Sequence, residues 1–224
     1  MIQPYIDTDI EQLLSTFKEG AGVIDFKLYS VGTALTSPYH KHLEVAKQTL
    51  IEVAKEINSY LDRVAVKNKR RREDFFTMDY DFTLLKSSGK EITVSEFIGN
   101  AVTLEKHKER LQRLPESAIY YNYCKPYKER TMGSGFTYAF FESPYGISIK
   151  RKREAERDNY TNGKFFFEFC YALFTDLSQI EVYEWSTDCS NYFDIDKDWW
   201  GTFFYTVYNP LRDCYIGIVA SESD

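Results

Sequence analysis

The clearest periodic pattern in the chain predicts a long amphipathic helix over residues 39–66. Apolar residues recur there every three or four positions with charged residues between them, so the apolar side chains share one helix face. Ser37 and Pro38 precede the pattern and suit the start of a helix. A basic block at residues 67–72 follows it, at the helix C-terminus, where positive charges interact favourably with the helix dipole. We expect this helix to be the longest in the protein, with its apolar face buried. The residues of that face are Leu43, Ala46, Leu50, Val53, Ile57, Leu61 and Val64.

A shorter helix and a strand are predicted ahead of the long helix. Thr8 and Glu11 have the spacing of a capping box, and Gly20 suits the end of a helix. Residues 23–31 alternate loosely between polar and apolar side chains and are bounded by glycines, which is typical of a strand.

The middle of the chain alternates between strand and helix patterns. Residues 75–85 carry aromatic and apolar side chains at alternate positions, which predicts a half-buried strand, with residues 91–94 as its returning partner. Ser95 is suited to cap a helix, and the apolar spacing after it predicts a second helix that ends at Pro115.

Strand signals dominate the second half of the chain. Short aromatic runs separated by Gly, Pro and Ser predict strands at residues 119–123, 136–141 and 147–149. The Asn-Gly pair at 162–163 predicts a hairpin turn. The apolar run that follows it, residues 164–174, fits a buried strand or a buried helix equally well.

The last two β-prone runs, residues 201–208 and 214–220, flank a five-residue turn and predict a terminal hairpin. The pattern as a whole predicts an α+β fold, with helices mainly in the N-terminal half and an antiparallel β-sheet with hairpins mainly in the C-terminal half. A length of 224 residues suits a single α+β domain over residues 1–224. A soft boundary near 115–118 would separate the helical half from the β-rich half.

Composition narrows the class of protein. Aromatic residues make up 17% of the chain and hydrophobic residues 43%, which excludes a disordered or collagen-like chain and favours a β-rich core with a Tyr-rich surface. No apolar run approaches the roughly 18–20 residues that a membrane-spanning helix needs, and the first residues lack the pattern of a signal peptide. We therefore expect a cytoplasmic protein that has no membrane contact.

The cysteines and histidines do not form a familiar site. The four cysteines lack the paired spacing of a structural zinc site, so we expect buried thiols, no metal and no cofactor. His40 and His42 differ by two positions, which points them to different faces of the long helix. The cysteines are Cys124, Cys170, Cys189 and Cys214.

An alternating run of carboxylates, Asp194, Asp196 and Asp198, is similar to the start of a calcium-binding loop. An EF-hand loop also needs a glycine at its sixth position and a glutamate at its twelfth, where this chain has Trp199 and Tyr205. The run is therefore not an EF-hand, and an acidic loop ahead of a strand is the simpler interpretation.

Charge is distributed unevenly, and this is the main indication of function. The chain has a net charge of −6, and residues 164–224 contain eleven acidic and only three basic residues. Within residues 181–201 the acids are interleaved with tyrosine and all three tryptophans. Tryptophan and tyrosine are enriched among binding hot spots, and surrounding carboxylates raise the association rate with a basic partner. The predicted partner-binding residues are Glu181, Glu184, Trp185, Asp188, Tyr192, Asp194, Asp196, Asp198, Trp199 and Trp200.

These features predict a stoichiometric protein-binding inhibitor or neutraliser, of the immunity-protein or phage anti-defence type. The acidic-aromatic surface would cover a basic active site or a nucleic-acid channel on a target protein. A core role for Trp199 and Trp200, beneath the terminal hairpin, is the alternative for those two residues. The sequence contains none of the familiar hydrolase, deaminase or nucleotide-binding motifs.

Two alternatives remain open for the whole chain. Two basic runs adjoin aromatic segments, which is the chemistry of single-stranded nucleic-acid binding, although lysine-rich helix ends and strand edges explain such runs equally well. The third possibility is an enzyme with an unrecognised site of Asp and Glu carboxylates. The basic residues are Lys67, Lys69, Arg70, Arg71, Arg72, Lys150, Arg151, Lys152 and Arg153.

Overall fold

A computed structural model describes residues 1–20, 22–98, 135–141, 162–194 and 202–221. The described chain forms one antiparallel six-stranded sheet with helices on both of its faces. The helices are α1 (Thr8–Glu19), α2 (Pro38–Lys67), α3 (Phe82–Ser88), α4 (Val94–Ile98), α5 (Phe136–Phe141) and α6 (Asn162–Phe174). The strands are β1 (Ile2–Pro4), β2 (Asp25–Val31), β3 (Lys90–Ile92), β4 (Glu181–Glu184), β5 (Phe203–Asn209) and β6 (Cys214–Ala220), in the sheet order β1-β2-β6-β5-β4-β3.

The predicted α+β class is confirmed, and so is the terminal hairpin. β5 and β6 pair along their full length, from Phe203 opposite Ala220 to Asn209 opposite Cys214. The turn between them includes Asp213 in the left-handed region, with φ of 48°, which aspartate tolerates better than most residues. This hairpin forms the centre of the sheet, so it supports the strands on both sides.

The long helix is confirmed, one residue longer at each end than predicted. Leu50 is fully buried, whereas Ile57 and Leu61 are only partly buried. The reason is length: the 30 residues of α2 extend about 45 Å, and a seven-residue strand extends about 23 Å. The second half of α2 therefore passes beyond the sheet and contacts the segment after residue 68 instead.

Helix α2 covers one face of the sheet at close range. At Gly217 of β6 the contact is so tight that a Cβ atom would overlap the Thr49 side chain. Leu43, Leu50 and Val53 pack there against the strands and against Trp185. The fit on this face depends on the missing side chain at Gly217.

The other face of the sheet is covered by α1, α4, α5 and α6, whose contacts are mainly between phenylalanine rings. Phe26 of β2 meets Phe17 and Phe169 edge-on, with ring centroids 5.7 and 5.1 Å apart. Phe97 stacks on Phe136 at 5.4 Å. Edge-to-face and offset pairs are the favoured arrangements of aromatic rings, so much of the aromatic content forms this core.

The strand predicted over residues 75–85 is wrong. The segment is irregular, with a single bridge from Tyr80 to Ser190, and then enters α3. Asp81 caps that helix, because its carboxylate accepts hydrogen bonds from the backbone N–H groups of Thr83 and Leu84. A cap followed by one helical turn can imitate a two-residue alternation over such a short distance.

Two other elements differ locally from their predictions. The strand predicted at 91–94 exists as β3, but it pairs with β4. The cap of α4 is Thr93 instead of Ser95: the N–H of Glu96 donates to Thr93 Oγ1 at 3.1 Å, and Glu96 Oε2 accepts the Thr93 N–H at 2.7 Å. The first helix is likewise capped one residue earlier, by Asp7.

Residues 136–141 and the Asn-Gly pair at 162–163 are helical, so the predicted strand and hairpin turn are wrong there. Helix α6 resolves the ambiguous run 164–174: Phe165 and Phe169 lie one turn apart and pack together at 5.7 Å. The predicted strands 119–123 and 147–149, the second helix beyond residue 98 and the boundary near 115–118 lie outside the described residues.

Candidate functional site

The acidic residues predicted to share one surface are divided by strand β4. Glu181 and Tyr183 face α2, whereas Val182 and Glu184 face the opposite side of the sheet. Both glutamates are exposed. Burial raises the pKa of Tyr205, and the charge and hydrogen bonding of Glu184 raise it further. The two glutamates therefore have different surroundings and cannot contact a partner as one patch.

Trp185 is buried, with 2% of its surface exposed. Its indole Nε1 donates to Thr206 Oγ1 at 2.9 Å, and its ring lies between Tyr39, Tyr183 and Phe204. The expectation that Trp185 is an exposed anchor is corrected by this burial, because a core side chain offers a partner no contact area.

The remaining described residues of the predicted patch lie in a loop after β4, built from two short 3-10 turns at Thr187–Cys189 and Asn191–Phe193. Asp188 and Asp194 are exposed there, and Tyr192 is half-buried. The other predicted residues, Asp196, Asp198, Trp199 and Trp200, lie outside the described residues.

This loop is joined to the irregular segment before α3 by an extensive set of hydrogen bonds. The Asp81 N–H donates to the Cys189 carbonyl at 2.7 Å, and Ser190 Oγ donates to the Asp79 carbonyl at 2.6 Å. Asn191 accepts from the Asp79 N–H at 2.8 Å and donates to the Thr77 carbonyl at 2.9 Å. Two segments about 110 positions apart in sequence thus form one continuous surface.

We define this acidic-aromatic surface as Phe76, Asp79, Tyr80, Asp81, Leu84, Asp188, Tyr192 and Asp194. Large apolar side chains are exposed in it: Phe76 and Tyr80 by 38% each, and Leu84 by 47%. The Tyr80 ring stacks on Phe82 at 4.7 Å. Neither residues 77–84 nor residues 186–194 include a lysine or arginine, and Lys47 borders the surface, 6.0 Å from the Phe82 ring.

Five of the eight residues of this surface, those from the segment 76–84, are absent from the predicted partner-binding set. Asp79, Tyr80 and Asp81 have the same acidic and aromatic character as the predicted block, but their alternation indicated a strand with buried aromatics. The local pattern therefore shows the acidic and aromatic character of these residues, but it does not show that they are exposed in a loop.

The first basic run is largely neutralised by the protein itself. Arg72 donates to Asp62 Oδ1 at 2.6 Å, to the carbonyls of Phe75 and Phe76 at 3.2 and 2.8 Å, and to Asn58 Oδ1 at 3.2 Å. This guanidinium connects the C-terminal half of α2, which extends beyond the sheet, to residues 75 and 76, which fold back along the helix. Arg72 is thus a structural residue.

The two neighbouring arginines are also paired. Arg71 lies 2.7 Å from Glu73, and Arg70 lies 3.8 Å from Asp74 while its guanidinium sits 5.0 Å from the Phe75 ring centre. Lys67 and Lys69 are exposed. The second run, Lys150, Arg151, Lys152 and Arg153, lies outside the described residues.

A second group of polar residues lies under the first turns of α2. His42 is fully buried; its Nδ1 is 2.8 Å from Thr206 Oγ1, and its Nε2 is 3.9 Å from Glu181 Oε2. Nε2 has no hydrogen-bond partner. Burial lowers the pKa of His42 to about 3, the hydrogen bond with Thr206 opposes that shift, and the charge of Lys41 adds to it. Because Glu181 is half-exposed, water screens its charge and burial dominates, so His42 is neutral at pH 7.

The order of carboxylate, imidazole and hydroxyl in this group resembles the proton relay of hydrolases. A nucleophile must be accessible to substrate, however, and Thr206 is fully buried beneath Trp185. The arrangement is therefore not a nucleophilic site. Among the described residues, no group of three His, Cys, Asp or Glu side chains could hold a metal ion.

Tyrosines surround the exposed end of this group. Glu181, Tyr208, Tyr215 and Tyr29 are aligned across four adjacent strands on the α2 side of the sheet. Tyr208 and Tyr215 stack at 4.4 Å, and the His42 ring lies 5.2 Å from Tyr215. The same imidazole lies 4.4 Å from the Tyr183 ring.

Among the residues that the structure describes, the remaining features add no catalytic group. A cavity of about 500 Å³ lies between α1 and β2, with an apolar floor that includes Leu14, Phe17 and Phe26. Cys170, Cys189 and Cys214 are buried, as expected, and Cys124 lies outside the described residues. Within the described part of the chain, no helix combines the length and the apolar character needed to cross a membrane.

Comparisons with protein-family models, with curated proteins and with solved structures found no match for this chain.

Proposed function

We propose that this protein acts in the cytoplasm by stoichiometric binding to another protein that presents a basic face, as an inhibitor or neutraliser of the immunity-protein or phage anti-defence type. The acidic-aromatic surface would cover a basic active site or a nucleic-acid channel on that target. The observation that carries the proposal is the pairing of residues 77–81 with 189–191, which gathers exposed rings and carboxylates from two distant segments.

The chemistry of this surface suits a basic protein partner. Exposed aromatic side chains provide large contact area at a small cost in conformational entropy, and they are frequent at binding hot spots. Asp79, Asp188 and Asp194 are exposed around them. Carboxylates in such positions attract a cationic face before contact and discriminate against acidic partners.

The rigidity of the surface also favours binding. The hydrogen bonds of Asn191 and Ser190 hold the backbone of residues 77–81 in place before any partner arrives. A partner then loses less binding free energy to ordering of the loop than it would on a mobile segment.

The experiment begins with affinity purification of the partner, with and without nuclease treatment, and proceeds to kinetics with the purified partner. In the triple variant Asp79→Asn, Asp188→Asn, Asp194→Asn, association should slow by about tenfold or more at low salt, and added salt should reduce the difference. The matched control neutralises three exposed carboxylates on α1 and α6, through Asp9→Asn, Glu11→Gln and Glu168→Gln, and should keep the wild-type association rate.

The aromatic anchor is tested separately from the charges. Tyr80→Ala should accelerate dissociation by about 30-fold, the equivalent of a 2 kcal/mol hot spot. Tyr171→Ala removes an exposed tyrosine of α6, on the other side of the sheet, and should leave dissociation unchanged. If the folded triple variant and the folded Tyr80→Ala variant both bind like wild type, the acidic-aromatic surface is not the interface.

A further inference from the structure

We propose that Glu181 and the tyrosines around it form a binding site for a primary ammonium group, supplied by a small amine or by a lysine side chain. The site comprises Glu181, His42, Tyr183, Tyr208 and Tyr215. It lies where β4 begins, whereas the loop of the acidic-aromatic surface follows the end of that strand. The inference therefore goes beyond the proposed function and does not depend on it.

The carboxylate is available for a cation. The Glu181 side chain is 45% exposed, and its only ion-pair contact among the described residues is with His42, at 3.9 Å. Because His42 is neutral at pH 7, it does not neutralise the carboxylate. Among the described residues, no lysine or arginine forms an ion pair with Glu181.

Aromatic rings form the walls of the site. Tyr208 lies directly opposite Glu181 across β4 and β5, and Tyr215 follows it on β6 and stacks on it. Tyr208 also donates to Asp213 Oδ1 at 3.0 Å, which brings a second exposed carboxylate close. A cation held by a carboxylate beside tyrosine faces gains both charge attraction and cation–π attraction.

The buried imidazole provides the strongest indication of a ligand. His42 Nε2 is enclosed, has no hydrogen-bond partner and is aimed at Glu181. A buried polar atom without a partner costs free energy that a ligand can recover. Nε2 has no accessible surface, so an ammonium group reaches it only after the exposed Glu181 side chain turns outward. The ammonium could then donate one N–H to Nε2 and another to Glu181.

The imidazole can adapt its tautomer to that ligand. The Thr206 hydroxyl accepts the Trp185 Nε1–H and still has one acceptor position and one proton. The 2.8 Å contact between Nδ1 and Thr206 Oγ1 fits either tautomer of the neutral imidazole. In the tautomer that accepts an ammonium, Nδ1–H donates to Thr206 and Nε2 carries the lone pair.

The test is an NMR titration of isotopically labelled protein with n-butylammonium chloride at pH 7. We expect saturable shifts of the Tyr208 and Tyr215 ring signals with a Kd on the order of 1 mM. When the site is full, the Nε2 nitrogen of His42 should show the unprotonated type of ¹⁵N shift. Butanol, which has the same chain without charge, should produce no saturable change.

Variants and a second probe sharpen the result. Glu181→Gln keeps the shape of the exposed side chain and should weaken butylammonium binding at least about tenfold. Glu184→Gln, on the opposite face of the same strand, should bind like wild type. If a lysine side chain is the natural ligand, Nα-acetyl-lysine methylamide, which keeps its side-chain ammonium group, should bind more tightly than butylammonium. If a small amine is the natural ligand, butylammonium should bind more tightly.

A titration that does not saturate in wild type, or one that Glu181→Gln leaves unchanged, overturns the proposal. The result is independent of the proposed function, because the triple variant at Asp79, Asp188 and Asp194 should bind butylammonium normally. A protein that loses its partner in that variant but never binds an ammonium would refute only the Glu181 site.

Discussion

His42 of α2 and Trp185 at the end of β4 share a single hydroxyl. The His42 Nδ1 lies 2.8 Å from Thr206 Oγ1, and the Trp185 Nε1 donates to the same oxygen at 2.9 Å. One buried threonine on β5 thereby links the long helix to two strands. The loop that carries Asp188 and Asp194 begins directly after Trp185, so this link also positions the acidic-aromatic surface.

Replacement of Thr206 by valine should destabilise the protein by about 2–4 kcal/mol. Valine has the same shape but leaves two buried nitrogens without their hydrogen-bond partner, and each such loss costs about 1–3 kcal/mol. Urea unfolding followed by circular dichroism measures the change. Thr206→Ser retains the hydroxyl and should lose about 1 kcal/mol or less; an equal loss in both variants would contradict the role of the hydrogen bonds.

Below about pH 6.5, the free energy of unfolding should decrease as the pH falls, because of His42. The unfolded state takes up a proton near the ordinary histidine pKa of about 6.5, whereas burial lowers the pKa to about 3 in the folded state. The unfolded state therefore binds more protons between these values, so the contribution is present above pH 6.5 and is lost as pH falls toward 3. At about 1.4 kcal/mol per pKa unit, the total loss amounts to several kcal/mol.

Urea unfolding at intervals from pH 4 to pH 8 checks this dependence. His42→Gln should be less stable than wild type at pH 8 but should show a flatter profile between pH 6.5 and pH 4. His40→Gln, which changes an exposed histidine two positions away, should retain the wild-type profile. A profile that is equally steep in His42→Gln would assign the proton uptake to another group.

Arg72→Lys should destabilise the protein by about 1–2 kcal/mol even though it preserves the charge. A lysine has a single ammonium group and cannot make the forked contacts of Arg72 with Asp62, Asn58 and two carbonyls. Thermal unfolding gives the comparison. The matched control is Arg71→Lys, whose side chain is 75% exposed and whose surface ion pairs contribute little. Equal stability of the two variants would contradict the structural role of Arg72.

Gly217→Ala should destabilise the protein by about 1–3 kcal/mol, because the new Cβ overlaps Thr49 and pushes α2 away from β6. The double variant Gly217→Ala, Thr49→Ala removes the obstructing side chain and should recover part of the loss. Additive losses in the double variant would show that the contact between these two residues is not what limits the packing.

Local patterns in the sequence were sufficient for α2 and for the terminal hairpin. Seven apolar positions at helical spacing define one face whatever they pack against, and two β-prone runs around a short turn pair with each other because they are adjacent. The two-residue spacing of His40 and His42 predicts different helix faces for the same reason, and the structure agrees, since His42 is buried and His40 is exposed. The spacing does not say which of the two is buried. Each of these features depends on neighbours in the sequence.

The wrong predictions concern features that neighbouring residues in the sequence do not determine. The run from Phe75 to Leu85 alternates like a strand, yet Asp81 caps a helix within it. The block around Trp185 was correctly identified as aromatic and acidic, but nothing local indicates whether a tryptophan faces solvent or a helix. Whether a side chain on a strand is buried depends on the element that packs against that face of the sheet. The burial of Trp185 therefore follows from the position of α2 over β4.

Sequence patterns alone predict the α+β class, the long helix, the terminal hairpin and the acidic character of the C-terminal part. The contacts of Asp79 with Asn191, of Tyr80 with Ser190, and of Glu181 with His42 and Tyr208 exist only in the folded chain. Those contacts join residues that lie from 27 to 139 positions apart. These contacts stabilise the protein only after the strands have paired, which costs the entropy of closing the long loops between them. The order of the strands in the sheet is not encoded in any local pattern.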